Sequence, residues 1–496
     1  MAQTFDKDLR SIQEARRAAE TAYLAYLQFA DAPQDLVDRI CQAMADAAYQ
    51  AAERLGQMAH DETGYGVPAH KTIKNQFSSR RVWESIRDIP TVGVIRRDDA
   101  KGIIEIAWPV GVVAALSPST NPTSTVIFKT LIAVKARNAI VHAPHPTAVG
   151  ACRETSRIMA EAAVAAGAPA NLVQCLETIS LEGTQELMRH KRTSLILATG
   201  GTPMVRAAHS VGKPAYGVGP GNVPCYVDRS ADIDRAARYI VASKAFDHSV
   251  ICSTEQDVIA DRPIADALRS RMQAEGAYFT SPDESEALRR TLFQADGGIN
   301  VKTVGQSPQT LAAMAGFEVP ASARILVTPV DKVGPEEPLS REKLTTVLGW
   351  YETDGWRAGC DRCIELIHFG GRGHSLVIHA EDDDVIMAFG LEKPVFRILV
   401  NTPGTLGAIG YTTNVMPSMT LGSGGEGRSI TGDNITVHHL YDTKRLAFER
   451  NPPPDSIFGA AAPAVAGAQV PNEVDIQRIE SMVVRILDEI RAERES

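Results

Sequence analysis

The chain has 496 residues, of which 44% are hydrophobic and 22% charged, a length and balance that fit two or three folded domains and exclude wholesale disorder. A formal net charge of −9 and a pI near 5.8 give no basic surface of the kind that nucleic-acid binding uses. Seven cysteines, an odd number scattered through a long chain, suit a reducing compartment better than a disulfide framework. The N-terminus is charged and lacks the apolar core of a signal peptide, and no apolar run reaches the ~18 residues of a membrane span. The expectation is a cytoplasmic protein.

Residues 1–60 read as helices, with Leu24, Leu27, Leu36, Ile40, Met44 and Leu55 at spacings that a helix can turn inward. At 102–119 the stretch GIIEIAWPVGVVAALSPS clusters Ile, Val and Ala between Gly and Pro, which predicts strands. Short apolar runs then alternate with helical segments. AIVHA (139–143) precedes helical 147–166, LVQCL (172–176) precedes helical 181–190, and SLILATG (194–200) precedes another helix. A second cycle runs from QDVIA (256–260) through helical 263–275 to ARILV (323–327). It continues with helical 355–368, SLVIHA (375–380) and FRILVN (396–401). Strand, helix and strand at this spacing predict βαβ units, and hence an α/β fold with two parallel-sheet domains and a cleft between them. Residues 451–473, rich in Pro, Ala and Gly, read as a linker. Beyond it Ile476, Ile479, Met482, Val483, Ile486, Leu487 and Ile490 fall at helical spacing, so 474–496 reads as a tethered amphipathic helix suited to a groove on a partner.

Four segments stand out chemically. DHSVICSTEQ (247–256) sets Cys252 among small and polar residues just before a strand; alone, such a cysteine is more often packing than a nucleophile. In SPSTNPTSTVIFKTL, from residue 117, Asn121 sits in a Pro-bounded turn before an apolar helix, where its amide could serve an oxyanion or simply cap the turn. LATGGTPMVRAA (197–208) ends a strand in Thr199, Gly200, Gly201 and Thr202 and opens a helix at once, leaving backbone N–H groups free for an anion or forming a plain βα turn. AYGVGPGNVPCYVD (215–228) carries Gly217, Gly219 and Gly221, but a strand follows them rather than a helix, so the dinucleotide fingerprint fails and the segment reads as a loop of close backbone approach. Cys360 and Cys363 form C-x-x-C without a second pair, which suggests packing rather than a metal site.

In this order the four segments, with RNAIVHAPHP, EKL (342–344) and GRGHS (371–375), resemble the aldehyde dehydrogenase superfamily and most closely its CoA-acylating branch, over roughly residues 10–450. The resemblance implies a cofactor-binding and oligomerisation domain at 1–230 with 420–450, and a catalytic domain at 231–419. A small oligomerisation sheet would draw on stretches near 100–116 and 430–448, giving a homodimer or tetramer. It implies Cys252 as nucleophile, Asn121 with the Cys252 N–H as oxyanion hole, and NAD and coenzyme A as cofactor and co-substrate. Thr199, Gly200, Gly201 and Thr202 would lie near the pyrophosphate and Glu342 near the nicotinamide ribose, with His142, Pro144, Gly219 and His374 along the cofactor or acyl channel.

Two departures matter. Hydrolytic members carry a glutamate where residues 217–222 have none, and without that base a thiol can replace water as acyl acceptor. The usual cofactor lysine is replaced by Ala143, which leaves NAD or NADP open. The resulting expectation is oxidation of a short-chain aldehyde, propanal or acetaldehyde, to acyl-CoA, with a polar relative such as sulfoacetaldehyde also open. The tail resembles the encapsulation peptides of microcompartment enzymes, with 474–493 as a contact for a shell protein or neighbouring cargo. A hydrolytic dehydrogenase of the same fold and a non-catalytic shell-associated scaffold are the rivals.

Overall fold

A computed structural model describes residues 6–294 and 297–454, together with Ile457. The expected tail helix, and the linker beyond residue 454 apart from Ile457, lie outside the described residues.

Three sheets organise the chain. Five parallel strands form the first, in the order Val173–Cys175, Ala139–Pro144, Val112–Ser117, Thr193–Thr199 and Ala215–Val218. The chain enters at the middle strand, Val112–Ser117, moves outward on one side and returns on the other. A topological switch point therefore falls between Val112–Ser117 and Thr193–Thr199, where open α/β sheets bind ligands beyond their strand C-termini. Every residue of Val112–Ser117 is buried, which is why this run reads as continuous Val, Ala and Leu instead of alternating.

Seven parallel strands form the second sheet, with Glu255–Asp261 between Val347–Thr353 and Val223–Val227 near its centre and Ile398–Val400 at one edge. Strand Val223–Val227 pairs with Glu255–Asp261. It therefore belongs to the sheet that follows the Cys252 segment, and the division expected at residue 230 falls before residue 223. The third sheet is antiparallel, built from Gly93–Asp98, Ile103–Pro109 and Tyr441–Ala447. Only part of the expected 100–116 stretch joins it, because Gly111 ends that run and Val112–Ser117 turns into the core of the first sheet.

Helix Pro122–Lys135 is buried along its whole length, so its apolar residues surround it on all sides. Its two buried lysines are matched. Lys129 donates to the carbonyls of Leu116 (2.7 Å) and Leu197 (2.9 Å), and Lys135 to Asp38 Oδ1 (2.5 Å) and the Arg87 carbonyl (2.7 Å).

Helix Lys7–Phe29 departs from expectation. Leu24 and Leu27 are 58% and 44% exposed, and the buried face is Ala15, Ala18, Ala19, Ala22, Ala25 and Phe29. Small residues let the helix approach Leu181–Arg189 closely, and that contact, not leucine burial, sets its rotation. A Cβ at Gly183 would stand 1.9 Å from Ser11 Oγ and 2.9 Å from the Ser11 backbone carbon. Gly183→Ala should therefore destabilise the fold by the ~1–3 kcal/mol typical of overpacking, seen as a lower melting temperature in calorimetry. An unchanged melting temperature would mean that the two helices do not pack at this distance.

Candidate active site

The strand C-termini of the five-stranded sheet and the strand N-termini of the seven-stranded sheet meet at a cavity of about 410 Å³. From the first come Ser117 to Asn121, Pro144, Thr199 to Gly201 and Gly219; from the second, Val250 to Cys252 and Glu342, each a few residues ahead of its strand.

Asn121 stands at the N-cap position of helix Pro122–Lys135, yet its side chain makes no capping bond. The amide instead crosses to other elements. Its Nδ2 donates to the Val250 carbonyl (3.1 Å) and Thr120 Oγ1 (3.1 Å), and its Oδ1 accepts from Lys74 Nζ (2.5 Å). The cap reading is thus set aside, and the amide is tied to the segment that carries Cys252.

Cys252 Sγ shares a hydrogen bond with His374 Nε2 at 3.3 Å, and His374 Nδ1 meets Ser375 Oγ at 3.1 Å. Ser375 Oγ in turn accepts from Arg397 Nε at 3.3 Å. His374, expected along a channel, lies buried beside Cys252 Sγ and is not among the residues that line the cavity. Burial pushes the Cys252 thiol up to about 12, with the nearby Glu342 carboxyl adding to the shift and Arg397 opposing it. Burial, reinforced by Arg397, holds His374 down at about 3. The resting pair is therefore a neutral thiol beside a neutral imidazole.

Glu342 Oε1 accepts from the Gly221 N–H at 3.0 Å, and burial raises its carboxyl to about 8. Gly221 approaches so closely that a Cβ there would lie 2.3 Å from the Cys252 carbonyl oxygen, which accounts for the glycine-rich loop noted in the sequence. Thr199, Gly200 and Gly201 line the cavity, with Thr199 Oγ1 3.2 Å from Thr420 Oγ1. Thr202 opens helix Thr202–His209 but is exposed and off the wall. Pro144 is on the wall, whereas His142 is buried in the core with Nε2 2.9 Å from Thr130 Oγ1. Both faces of Ala139–Pro144 are covered, so His142 packs under the helix rather than reaching a ligand.

Lys74, Asp247, Ser375 and Arg397 were not singled out from the sequence. Asp247 and Ser375 lie within motifs already noted, whereas Lys74 and Arg397 join the site only through contacts from other segments, Lys74 and Asp247 being 173 residues apart. Among the described residues no cluster of His, Cys, Asp or Glu could hold a metal ion, and Cys360 and Cys363 are buried in helix Gly355–Phe369.

Residues 4–287 match the aldehyde dehydrogenase family. The chain is 47% identical to the crystal structure of an acetylating aldehyde dehydrogenase from Geobacillus thermoglucosidasius, with a TM-score of 0.90 over 91% of this chain and 100% of that one. It is 27% identical to a propionaldehyde dehydrogenase from the fucose utilisation bacterial microcompartment of Clostridium phytofermentans, with a TM-score of 0.79 over 90% and 98% of the two chains. A succinate-semialdehyde dehydrogenase (acetylating) from Clostridium kluyveri is 35% identical over 89% of this chain and 95% of its own. Aldehyde-alcohol dehydrogenase 2 of Entamoeba histolytica is 41% identical over 87% of this chain but 51% of its own length, so the chain spans about half of that relative.

The neutral resting thiol has a measurable signature. Since the thiolate is the reactive form and its fraction grows as pH climbs toward about 12, alkylation of Cys252 by iodoacetamide in the ligand-free protein should accelerate roughly tenfold per pH unit from pH 7 to 10. A rate already on a plateau at pH 7 would show a thiolate–imidazolium pair instead.

Proposed function

Since the chain belongs to the aldehyde dehydrogenase family, we propose that it oxidises a short-chain aldehyde, propanal or acetaldehyde, with NAD and coenzyme A to the acyl-CoA, through a thioester on Cys252. The observation that carries this reading is the pairing of a cavity-facing cysteine with walls that, among the described residues, offer water no ionised carboxylate as a base. Glu342 is the one carboxylate on the wall among the described residues, it is bound to the Gly221 N–H, and burial keeps it protonated up to about pH 8. Water then attacks the thioester poorly, and the more nucleophilic thiol of coenzyme A takes the acyl group.

The residues fit a dinucleotide. A Cβ built at Gly219 meets nothing within 4 Å and one at Gly200 only Met204, at 3.6 Å, so the backbone there opens onto free space at the switch point. Thr199, Gly200, Gly201, Pro144 and Gly219 would hold the cofactor, with Glu342 toward its nicotinamide end. Bound there, a nicotinamide supplies the hydride acceptor and a positive charge. Among the described residues the walls carry no lysine or arginine to pair with a 2′-phosphate, which favours NAD over NADP.

The chain's own part follows. His374 Nε2 is in place to take the Cys252 proton as the sulfur bonds the aldehyde carbon. The alkoxide then recruits the Asn121 N–H, outcompeting the neutral Thr120 hydroxyl as its acceptor, together with the Cys252 N–H. Loss of hydride would leave the thioester; the coenzyme A thiol, giving up its proton to solvent, would then attack the thioester carbonyl, and as acyl-CoA departs the Cys252 sulfur would take back the proton held on His374. Residence in a bacterial microcompartment is part of the reading. It is supported by the apolar spacing of 474–493 and by the source of one similar structure.

The test is NADH formation at 340 nm with propanal and NAD, with and without coenzyme A. Turnover should require coenzyme A and vanish in Cys252→Ala. Because among the described residues the walls carry no lysine or arginine to pair directly with a sulfonate, sulfoacetaldehyde should be turned over at least ~100-fold less efficiently than propanal, a buried unpaired anion costing several kcal/mol. Turnover indifferent to coenzyme A would refute the acylating reading, and equal efficiency with sulfoacetaldehyde the apolar-substrate reading.

A further inference from the structure

Asn121 presents an oxygen and a nitrogen of nearly equal size, and only its neighbours decide which faces the nucleophile. The neighbour of Oδ1 is Lys74 Nζ at 2.5 Å, from helix Pro68–Gln76. An ammonium can only donate, so this contact fixes the oxygen toward Lys74 and turns Nδ2 toward Val250 and Thr120. Lys74 is 2% exposed and has no room to wander. It is held in turn by Asp247 Oδ2, which also accepts from Lys71 Nζ at 3.2 Å, while Lys71 reaches the Thr120 carbonyl at 3.4 Å. Asp247 Oδ1 accepts from the Val67 N–H (2.7 Å), and the Asp247 N–H donates to His70 Nδ1 (2.8 Å).

We propose that Lys74 is a positioning residue for the reaction, holding the Asn121 amide with its N–H side toward the Cys252 segment and polarising that N–H. The proposal rests on the reading of Asn121 as oxyanion donor. Burial lowers Lys74 to about 8, with Asp247 opposing the shift, so at pH 7 it is still an ammonium; with Lys71 it shares one carboxylate, and the cluster carries a surplus positive charge on the side of Asn121. A cation on an amide oxygen draws electron density from the nitrogen and makes its N–H a stronger donor. That charge is buried and fixed before the reaction begins, the condition under which it assists a developing alkoxide most. Asp247 serves as the counter-charge that lets two lysines remain buried, and it joins the helix to the nucleophile segment.

The experiment compares wild type, Asn121→Ala, Lys74→Met and the double variant with propanal, NAD and coenzyme A, and measures the iodoacetamide rate of Cys252 in each. Lys74→Met should lower kcat by about tenfold to a hundredfold, with KM for propanal within about twofold and the alkylation rate of Cys252 unchanged. Because Lys74 acts through Asn121, the double variant should be no slower than Asn121→Ala alone. If methionine prevents folding, Lys74→Gln should lower kcat in the same direction, with the loss again absent in the Asn121→Ala background. An Asn121→Ala enzyme with wild-type kcat would overturn the oxyanion reading and the proposal with it. A slow Asn121→Ala enzyme overturns the role of Lys74 alone in three cases: Lys74→Met at wild-type kcat, losses that multiply in the double variant, or a parallel loss of alkylation rate that traces the effect to the nucleophile segment.

Discussion

Asp247, His248 and Ser249 take three successive left-handed conformations, with φ of 48°, 49° and 66°, immediately ahead of the segment that carries Cys252. Each such turn costs a non-glycine residue about 1–2 kcal/mol, so the shape persists only where its surroundings over-determine it. The surroundings do so from both sides. Helix Pro68–Gln76 grips Asp247 through His70, Lys71 and Lys74, and His248 Nδ1 meets the Gly305 carbonyl at 3.0 Å. Burial alone would raise the Asp247 carboxyl, but Lys74 and Lys71 outweigh it and keep the group ionised below its ordinary range. The buried ion cluster thereby sets the course of the backbone that delivers the sulfur. The same lysine that satisfies Asp247 reaches the Asn121 amide, so the proposed nucleophile and the candidate oxyanion donor share one anchor.

The two sheets give that anchor its frame. Parallel strands direct their C-termini from one sheet and their N-termini from the other at a single cavity. The residues facing it lie in short loops fixed at one end by a buried strand. Precision in the site is thus inherited from the sheets rather than built by the loops. The sulfur is kept neutral in the resting state by burial, and the imidazole beside it is too weak a base to ionise it unaided. In the proposed reaction activation would then come with the bound ligands, so that no reactive thiolate is presented to side reactions while the cavity is open.

Much of this was legible in the sequence. The strand runs at 139–143, 194–200, 256–260, 375–380 and 396–401 fall on observed strands; the first four lie inside their sheets, where parallel strands covered on both faces leave an uninterrupted apolar signature, and the last is a partly exposed edge strand. Cys252 and Asn121 were legible through the company of their neighbouring motifs, and both reach the cavity. What escaped was of another kind. Lys74 sits in an ordinary polar helix, and Arg397 reads as one charge in an apolar strand; their partners come from distant parts of the chain, and no local pattern announces a pairing. His142 and Thr202 sit in matching motifs, but a residue or two decides whether a side chain meets the cavity, the core or solvent. Leu24 and Leu27 misled because alanines at a close helix contact, rather than large apolar groups, chose the buried face.

The central claim is that a thioester on Cys252 is shielded from water and open to a thiol. Incubating the protein with propionyl-CoA at pH 7, without nicotinamide cofactor, and following its intact mass tests that directly. A propionyl adduct confined to Cys252 should form, persist after excess acyl-CoA is removed, and discharge promptly when free coenzyme A is added. An adduct lost equally fast with and without coenzyme A would contradict the account, since water would then reach the thioester as readily as the thiol does.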